Sequence, residues 1–195
     1  GSGTDTLNLA NGANTLTVSG NIETVVGGSA NDTITVGSAV TGLTYNLGAG
    51  TDRLTLSSAG DNTITAVGVE SIVGGTANDT VTFTAAVSGT GIDLGSGTDT
   101  LTLGASGNSL TVAASVETLV GGAGDDIVTL GGAVTGQSYD LGAGSGDKLI
   151  LSSAGANTVT ANNIETIVGS GNANDTVTFT AAVSGITIDL GTGTD

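Results

Sequence analysis

The chain has 195 residues, of which 35 are glycine, only four are Phe or Tyr and none is Trp, so it lacks the bulky side chains of a layered α/β core. Its 18 acidic residues are opposed only by Arg53 and Lys148, and the resulting formal net charge of −16 excludes nucleic acids and anionic membrane surfaces as favourable partners. Cysteine is absent, which excludes disulfides and thiolate metal sites. The remaining Val, Leu, Ile, Ala and Thr favour short strands joined by tight turns.

Glycine-rich segments that end in aspartate divide the chain into repeats. GSGTD ends at Asp5, and related segments end at Asp52, Asp99, Asp147 and Asp195, at intervals of 47, 47, 48 and 48 residues. The sequence therefore predicts a single array of four repeats. These repeats are residues 6–52, 53–99, 100–147 and 148–195. Because its first and last five residues are equivalent, we expect the chain to be an excerpt of a longer repeat protein.

A second corner that ends in aspartate lies inside each repeat. GGSAND, GGTAND, GGAGDD and GSGNAND end at Asp32, Asp79, Asp126 and Asp175. The nine aspartates are separated by steps that alternate between 27 or 28 and 20 or 21 residues. If each aspartate marks the same corner of a stacked coil, the chain forms about eight coils whose lengths alternate between roughly 20 and 27 residues.

Short strands fill the intervals between these corners. Residues 33–52 contain TITV and LTYNL, and residues 53–79 contain RLTL, TITAV and VESIV. In TITV the alternation places Ile34 and Val36 on one face and threonine on the other, which is typical of a strand with one buried face. Because stacked coils bury each apolar row against the next, we expect an all-β fold, a parallel β-solenoid.

Two polar positions recur once per repeat. Asparagine closes a turn at Asn14, Asn62, Asn108 and Asn157, and glutamate stands in the motif [IV]E[TS] at Glu23, Glu70, Glu117 and Glu165. We expect the asparagines to bond the turn backbone or to stack in a ladder. Successive glutamates should lie about 9.5 Å apart, close to a Debye length, so we expect exposed and screened carboxylates.

The aspartate corners carry more charge than a turn requires. At a coil spacing of about 4.8 Å, adjacent carboxylates would repel by about 0.9 kcal/mol in water and about 3.5 kcal/mol at an effective dielectric of 20. A divalent cation between adjacent corners would reverse that repulsion, and glycine-rich backbone can turn carbonyl oxygens towards it, as Ca²⁺ prefers. The sequence therefore predicts several Ca²⁺ ions stacked along one edge. The predicted ligands are Asp5, Asp32, Asp52, Asp79, Asp99, Asp126, Asp147, Asp175 and Asp195.

One corner also carries the signature of a known repeat. GGAGDDIVT, residues 121–129, fits the pattern G-G-x-G-x-D-x-U-x and resembles the RTX (hemolysin-type calcium-binding) repeats. GGSANDTIT and GGTANDTVT are similar, with Ala30 and Ala77 at the fourth position. The resemblance implies a parallel β-roll or β-helix, Ca²⁺ held between coils by the corner aspartates, type I secretion and folding outside the cell. The usual array repeats every nine residues, whereas the coil lengths expected here predict one ladder of ions on one edge.

A further polar residue precedes each LG corner, at Asn46, Asp93, Asp140 and Asp189. Two interpretations of these residues stay open. They are either additional ligands near the corner or solvent-facing residues at the ends of strands.

Periodicity favours a structural role as a spacer. Together with the resemblance, which implies secretion, it predicts a calcium-stabilised segment of a secreted cell-surface filament, surface layer or adhesin. Its partners would be neighbouring repeats and copies stacked end to end. The alternative is an ice- or surface-binding solenoid that uses outward threonine rows such as Thr63/Thr65 and Thr80/Thr82. We do not expect an enzyme, because His and Cys are absent and the acidic residues recur with the repeat.

Overall fold

The structure, a computed structural model, describes residues 2–169 and 171–195 and contains twenty strands and no helix within those residues. Gly1 and Ser170, which belong to two of the predicted corner segments, lie outside the described residues. The strands are β1 (Thr6–Asn8), β2 (Thr15–Val18), β3 (Thr24–Gly28), β4 (Thr33–Val36), β5 (Thr41–Gly48), β6 (Arg53–Thr55), β7 (Thr63–Val67), β8 (Ser71–Gly75), β9 (Thr80–Phe83), β10 (Ser88–Gly95), β11 (Thr100–Thr102), β12 (Ser109–Val112), β13 (Thr118–Val120), β14 (Ile127–Leu130), β15 (Thr135–Asp140), β16 (Lys148–Ile150), β17 (Thr158–Asn162), β18 (Thr166–Val168), β19 (Thr176–Phe179) and β20 (Thr187–Asp189).

The strands form two parallel sheets of ten strands each. The odd-numbered strands stack in chain order in one sheet, here called the odd sheet, and the even-numbered strands form the even sheet. Each coil therefore contributes one strand to each sheet, and the chain makes about nine turns. The predicted all-β parallel solenoid is confirmed.

The prediction that coil lengths alternate between about 20 and 27 residues is wrong. Paired residues in neighbouring strands are 17 to 23 positions apart throughout, for example 18 for Thr15 and Thr33 and 20 for Thr33 and Arg53. Each repeat holds five strands, β1–β5 in the first, and so spans two and a half coils of two strands each. A coil with a third strand would have a wider cross-section and could not stack on a two-stranded neighbour.

The apolar core lies in the narrow space between the two sheets. Alternation within the strands turns Ile34, Leu54 and Ile72 inwards, and each is fully buried. Burying such a side chain stabilises the fold by about 1.5–3 kcal/mol, so the core adds stability coil by coil. The largest buried side chains, Tyr45 and Tyr139, occupy equivalent inward positions of β5 and β15.

Candidate functional site

The structure distributes the nine predicted aspartate ligands over two opposite edges of the solenoid. We call the residues immediately before even-numbered strands the even edge, and those immediately before odd-numbered strands the odd edge. Asp32, Asp52, Asp126 and Asp147 lie on the even edge, and Asp5, Asp79, Asp99 and Asp175 lie on the odd edge, where Asp195 contacts Asp175. The predicted single file on one edge is therefore wrong, because a repeat of two and a half coils places successive aspartate pairs on alternating edges.

Three of the four aspartate pairs are each the centre of a four-residue ladder that runs across four coils. On the even edge the side-chain amide and the backbone N–H of Asn14 both donate to Asp32 Oδ1, at 2.7 and 2.8 Å. The backbone N–H of Asp32 donates to Asp52 Oδ1 at 2.6 Å, and that of Asp52 donates to Glu70 Oε2 at 2.7 Å. Every carboxylate in this ladder thus accepts a hydrogen bond from the backbone of the adjacent coil.

The same order of residues and bonds recurs in every repeat. On the odd edge the next ladder is Asn62, Asp79, Asp99 and Glu117, on the even edge it is Asn108, Asp126, Asp147 and Glu165, and on the odd edge again it is Asn157, Asp175 and Asp195. The first coil carries the end of another ladder, in which the N–H of Asp5 donates to Glu23 Oε2 at 2.7 Å. The ladder is therefore a property of the repeat and not of one site.

The asparagine fixes the turn that starts each ladder. The side-chain amide of Asn62 donates to the backbone oxygens of Ser57 and Gly60, at 2.9 and 3.1 Å, and to Asp79 Oδ1 at 2.8 Å. Both expected roles, bonding the turn backbone and stacking in a ladder, are confirmed at Asn62.

The glutamates are not exposed surface charges, and that prediction was wrong. They are partly buried, and each Oε2 accepts the N–H of an aspartate one coil earlier, as Glu117 does from Asp99 at 2.8 Å. The signal in the sequence was the spacing of 18 residues between the two partners, which equals the length of a coil. Nothing in the local motif reveals it, because the two residues are not neighbours in sequence.

A second, exposed ladder runs beside the first and was also missed. Asn31 Oδ1 accepts the N–H of Thr51 at 2.8 Å, and Asn78 Oδ1 accepts that of Thr98 at 2.7 Å. In the GGAGDD corner Asp125 replaces this asparagine and accepts the N–H of Ser145 at 2.8 Å. The residue before the buried aspartate thus adds another coil-to-coil bond.

The second aspartate of each of three pairs is a buried carboxylate with one oxygen that has no hydrogen-bond partner. Oδ2 of Asp52, Asp99 and Asp147 has no hydrogen-bond partner, although each side chain is no more than 1% exposed. Burial raises the pKa of all three, to about 6 for Asp99, against the opposing effect of the backbone hydrogen bond from the preceding aspartate. Neighbouring ladder carboxylates raise these pKa values further. Such a group is satisfied by a proton or by a cation.

The ladders fit a metal ion only in part. Among the described residues, no three Asp or Glu side chains come together in a group that could hold a metal ion. An ion at a corner would therefore rest on the Oδ2 atoms of one aspartate pair and on backbone carbonyls. Oδ2 is unpartnered in both members of the pair Asp32 and Asp52, whereas Oδ2 of Asp79 and of Asp126 accepts a glycine N–H, at 3.3 and 3.2 Å.

The corner glycines are required by the close approach of stacked backbones. Gly95 has a φ of +91°, and a Cβ atom there would lie 2.1 Å from the carbonyl oxygen of Gly75 in the coil below. At Gly48 the corresponding atom would lie 2.2 Å from Gly28 O. Coil stacking alone therefore explains these glycines, without a metal ion.

The residues before the LG corners lie outside the ladders. Asp93 is exposed, and its Oδ1 accepts the N–H of Gly95 at 3.2 Å and the hydroxyl of Ser115 at 2.8 Å. Asp140 and Asp189 bind the N–H two residues ahead in the same way. Of the two interpretations, these bonds favour residues that cap the ends of their own strands.

Threonines form two adjacent rows on the outer face of the odd sheet. The pairs Thr63/Thr65, Thr80/Thr82 and Thr100/Thr102 lie in register on the consecutive strands β7, β9 and β11. One row continues through Thr44, Thr24 and Thr6, and the other through Thr118, Ser138 and Thr160. The two predicted pairs, Thr63/Thr65 and Thr80/Thr82, therefore lie side by side on one sheet and form one continuous array with Thr100/Thr102.

No family model, curated protein or solved structure matches the chain. In the residues described, no helix is long and apolar enough to cross a membrane.

Proposed function

We propose that the chain is a structural spacer, a calcium-stabilised segment of a secreted cell-surface filament, surface layer or adhesin. The observation that carries this proposal is the recurrence of one ladder of Asn, two Asp and Glu with the same coil-to-coil bonds in each repeat. The ladder carboxylates are engaged in hydrogen bonds between coils. The proposed role is therefore non-catalytic.

The length of the solenoid increases by the same distance with each stacked coil. The nine steps from β1 to β19, at about 4.8 Å each, give an array about 43 Å long. Each added coil brings its own core residues and ladder bonds, so stability should grow with length.

The spacer role is tested by measuring length against repeat number. Arrays of two, four and eight repeats should show maximum dimensions in small-angle X-ray scattering that rise linearly, by about 12 Å per repeat of two and a half coils. Unfolding midpoints should rise with repeat number at the same time. Dimensions that grow less than linearly, as in a globule, would contradict the proposal.

We further propose that Ca²⁺ binds at the aspartate pairs, alternately on the two edges. Three observations support it: the carboxylates are buried, several Oδ2 atoms lack partners, and burial raises the pKa of Asp52, Asp99 and Asp147. An oxygen-rich site with backbone carbonyls suits Ca²⁺ better than Mg²⁺, which prefers rigid octahedral geometry. Extracellular calcium would then stabilise the stacked state after secretion.

Calcium binding is tested by thermal unfolding at pH 7.5 with Ca²⁺, with Mg²⁺ and with chelator. Ca²⁺ should raise the midpoint well above that in chelator, and Mg²⁺ should raise it less. Asp52→Asn should reduce the calcium-dependent shift, whereas Asp93→Asn, an exposed aspartate outside the ladders, should leave it unchanged. The same midpoint with and without Ca²⁺ would eliminate the metal from the proposal and leave the spacer.

The threonine array supports a second candidate, binding to ice or to another ordered surface. The three pairs on β7, β9 and β11 present hydroxyl and methyl groups on a regular grid, with strands about 4.8 Å apart. Thermal hysteresis of the wild type should then be abolished by Thr82→Tyr in the centre of the array. The matched change Thr35→Tyr on the even sheet should have no effect. A wild-type chain without hysteresis rejects ice as the surface.

A further inference from the structure

The turn between β1 and β2 contains a pair of residues that occurs once in the chain. Asn11 is followed by Gly12, and no other asparagine precedes a glycine. In such a pair the backbone nitrogen of the glycine can reach the side-chain amide carbon of the asparagine, because glycine has no Cβ to obstruct the approach and tolerates unusual backbone angles. The pair is therefore the place where attack of the backbone on an asparagine side chain is least hindered.

The structure leaves this pair accessible and unbound. Asn11 and Gly12 are both exposed, and a Cβ atom at Gly12 would meet nothing within 4 Å. Within residues 2–169 and 171–195, neither the Asn11 side chain nor the N–H of Gly12 forms a hydrogen bond. The two groups can therefore approach each other without breaking a bond to the rest of the solenoid.

This exposure is a property of the turn and does not depend on the position of the first coil. The corresponding residues of the other repeats, three positions before the ladder asparagine, are Ala59, Ala105 and Ala154. All three lie in coils that have neighbours on both sides, and all three are exposed. A coil stacked on the first one would therefore leave Asn11 in contact with solvent.

The asparagines of the two kinds of ladder lack this freedom. Asn31 and Asn78 are exposed, but Oδ1 of each accepts a backbone N–H of the next coil, at 2.8 and 2.7 Å, and each precedes an aspartate. Asn108 precedes a serine and is buried, and its amide donates to two backbone oxygens and to Asp126 Oδ1. Rotating these amides towards the following N–H would break hydrogen bonds between coils. The structure therefore distinguishes Asn11 from them.

We propose that Asn11 is a site of spontaneous deamidation, in which the backbone nitrogen of Gly12 attacks Cγ of Asn11. The nitrogen gives up its proton, the N–Cγ bond forms, the Cγ–Nδ2 bond breaks, and Nδ2 leaves with a proton as ammonia. Water then opens the cyclic succinimide. Water that adds at Cγ yields aspartate, and water that adds at the backbone carbonyl carbon of Asn11 yields isoaspartate. The reaction consumes only water and adds one carboxylate to the chain.

Isoaspartate would act on the ladder that begins at Asn14. It lengthens the main chain by one carbon atom between Ala10 and Gly12, whose backbone oxygens accept the Asn14 side-chain amide at 2.9 and 2.6 Å. The same amide donates to Asp32 Oδ1 at 2.7 Å. A longer turn moves the two backbone acceptors apart, so the isoaspartate form should unfold at a lower temperature than the original chain.

The experiment is incubation of the folded chain in mildly alkaline buffer, followed by cleavage after glutamate and mass spectrometry of residues 1–23. This peptide should gain the mass difference between NH₂ and OH, with fragmentation locating the change and identifying isoaspartate, while the peptide that carries Asn108 stays unmodified. Gly12→Ala, whose methyl group enters open space, should keep the fold and deamidate at least about tenfold more slowly. Ala59→Asn places the same pair, with Gly60, in an internal turn and should deamidate there too.

Rates in the folded chain and in urea show whether the turn leaves the pair free. Comparable rates support the proposal. An Asn11 that is modified only in urea, or a Gly12→Ala variant that deamidates as fast as the wild type, would overturn it.

The effect on the ladder is measured by thermal unfolding of fresh and aged wild type, followed by circular dichroism. Asn11→Asp is the matched control, because it adds the charge without lengthening the turn. The midpoint should fall in the aged chain and change little in Asn11→Asp. An aged chain that contains isoaspartate and unfolds at the same temperature as the fresh chain would contradict the effect on the ladder.

Discussion

Replacing Asp99 by Asn tests whether a buried carboxylate of the ladder makes the free energy of unfolding depend on pH. Asp99 is fully buried, its Oδ1 accepts the N–H of Asp79 at 2.6 Å, and its Oδ2 has no partner. Burial raises its pKa to about 6 against the opposing effect of that hydrogen bond. Asp99→Asn keeps an oxygen acceptor for the Asp79 N–H and removes the ionisable group.

The sign of the pH dependence follows from the raised pKa. Because the pKa of Asp99 in the folded state lies above its ordinary value of 3.8, the folded chain binds this proton more tightly than the unfolded chain. The resulting stabilisation is complete below about pH 3.8 and is lost as the pH rises through about 6. Between pH 5 and pH 8 the wild type should therefore lose about 1 to 2 kcal/mol of unfolding free energy through Asp99. Asp99→Asn should lose none through this position.

The assay is urea unfolding followed by circular dichroism in chelator at several pH values between 5 and 8. The free energy of unfolding of Asp99→Asn relative to that of the wild type should rise by about 1 to 2 kcal/mol over this range. A difference that stays constant with pH would refute the argument. Asp79→Asn is the comparison from the same ladder. Both oxygens of Asp79 accept backbone N–H groups, so the NH₂ group of an asparagine there would face a hydrogen-bond donor. This substitution should lower the free energy of unfolding by about 1–3 kcal/mol.

Three further substitutions, two of them with a matched control, test the packing. Gly95→Ala forces a side chain against the coil below and should cost more than about 3 kcal/mol in chemical unfolding, whereas Gly89→Ala, also at positive φ but in open space, should cost only about 1 kcal/mol. Asn62→Ala loses three side-chain hydrogen bonds and should lower the unfolding free energy by about 2–3 kcal/mol. Phe83→Ala should lower the free energy of unfolding by about 3–5 kcal/mol, because Phe83 is buried. Phe179→Ala in the end coil, where the side chain is only partly buried, should lower it much less. Equal losses would contradict this difference in burial.

The strands were predictable because their signal is local. TITV and TITAV coincide with β4 (Thr33–Val36) and β7 (Thr63–Val67), and the inward position of Ile34 follows from alternation alone. The assignment of strands to coils failed because an aspartate before a strand marks the start of that strand without indicating which sheet it joins. That information lies in the pairing of residues about 20 positions apart, for which no local motif exists.

The site was predicted in its residues but not in its arrangement. Asp52 and Asp99 were expected in one file on the same edge, and the structure places them on opposite edges, each beside a different partner. Repulsion between stacked carboxylates was anticipated, but the backbone N–H groups that offset it were not. The hydrogen bond from Asp32 N–H to Asp52 depends on the depth at which the side chain enters the corner, which composition and spacing do not encode.

Because each repeat spans two and a half coils, equivalent residues of successive repeats lie on alternate sheets. Adding or losing one repeat turns everything beyond it by half a revolution, so side chains that faced one way then face the other. Arg53 and Lys148, the only basic residues, stand two repeats apart and consequently share the even sheet. A related protein with one repeat more or fewer would keep every ladder, but the residues beyond the change would lie on the opposite sheet. A change of two repeats would return them to the original sheet.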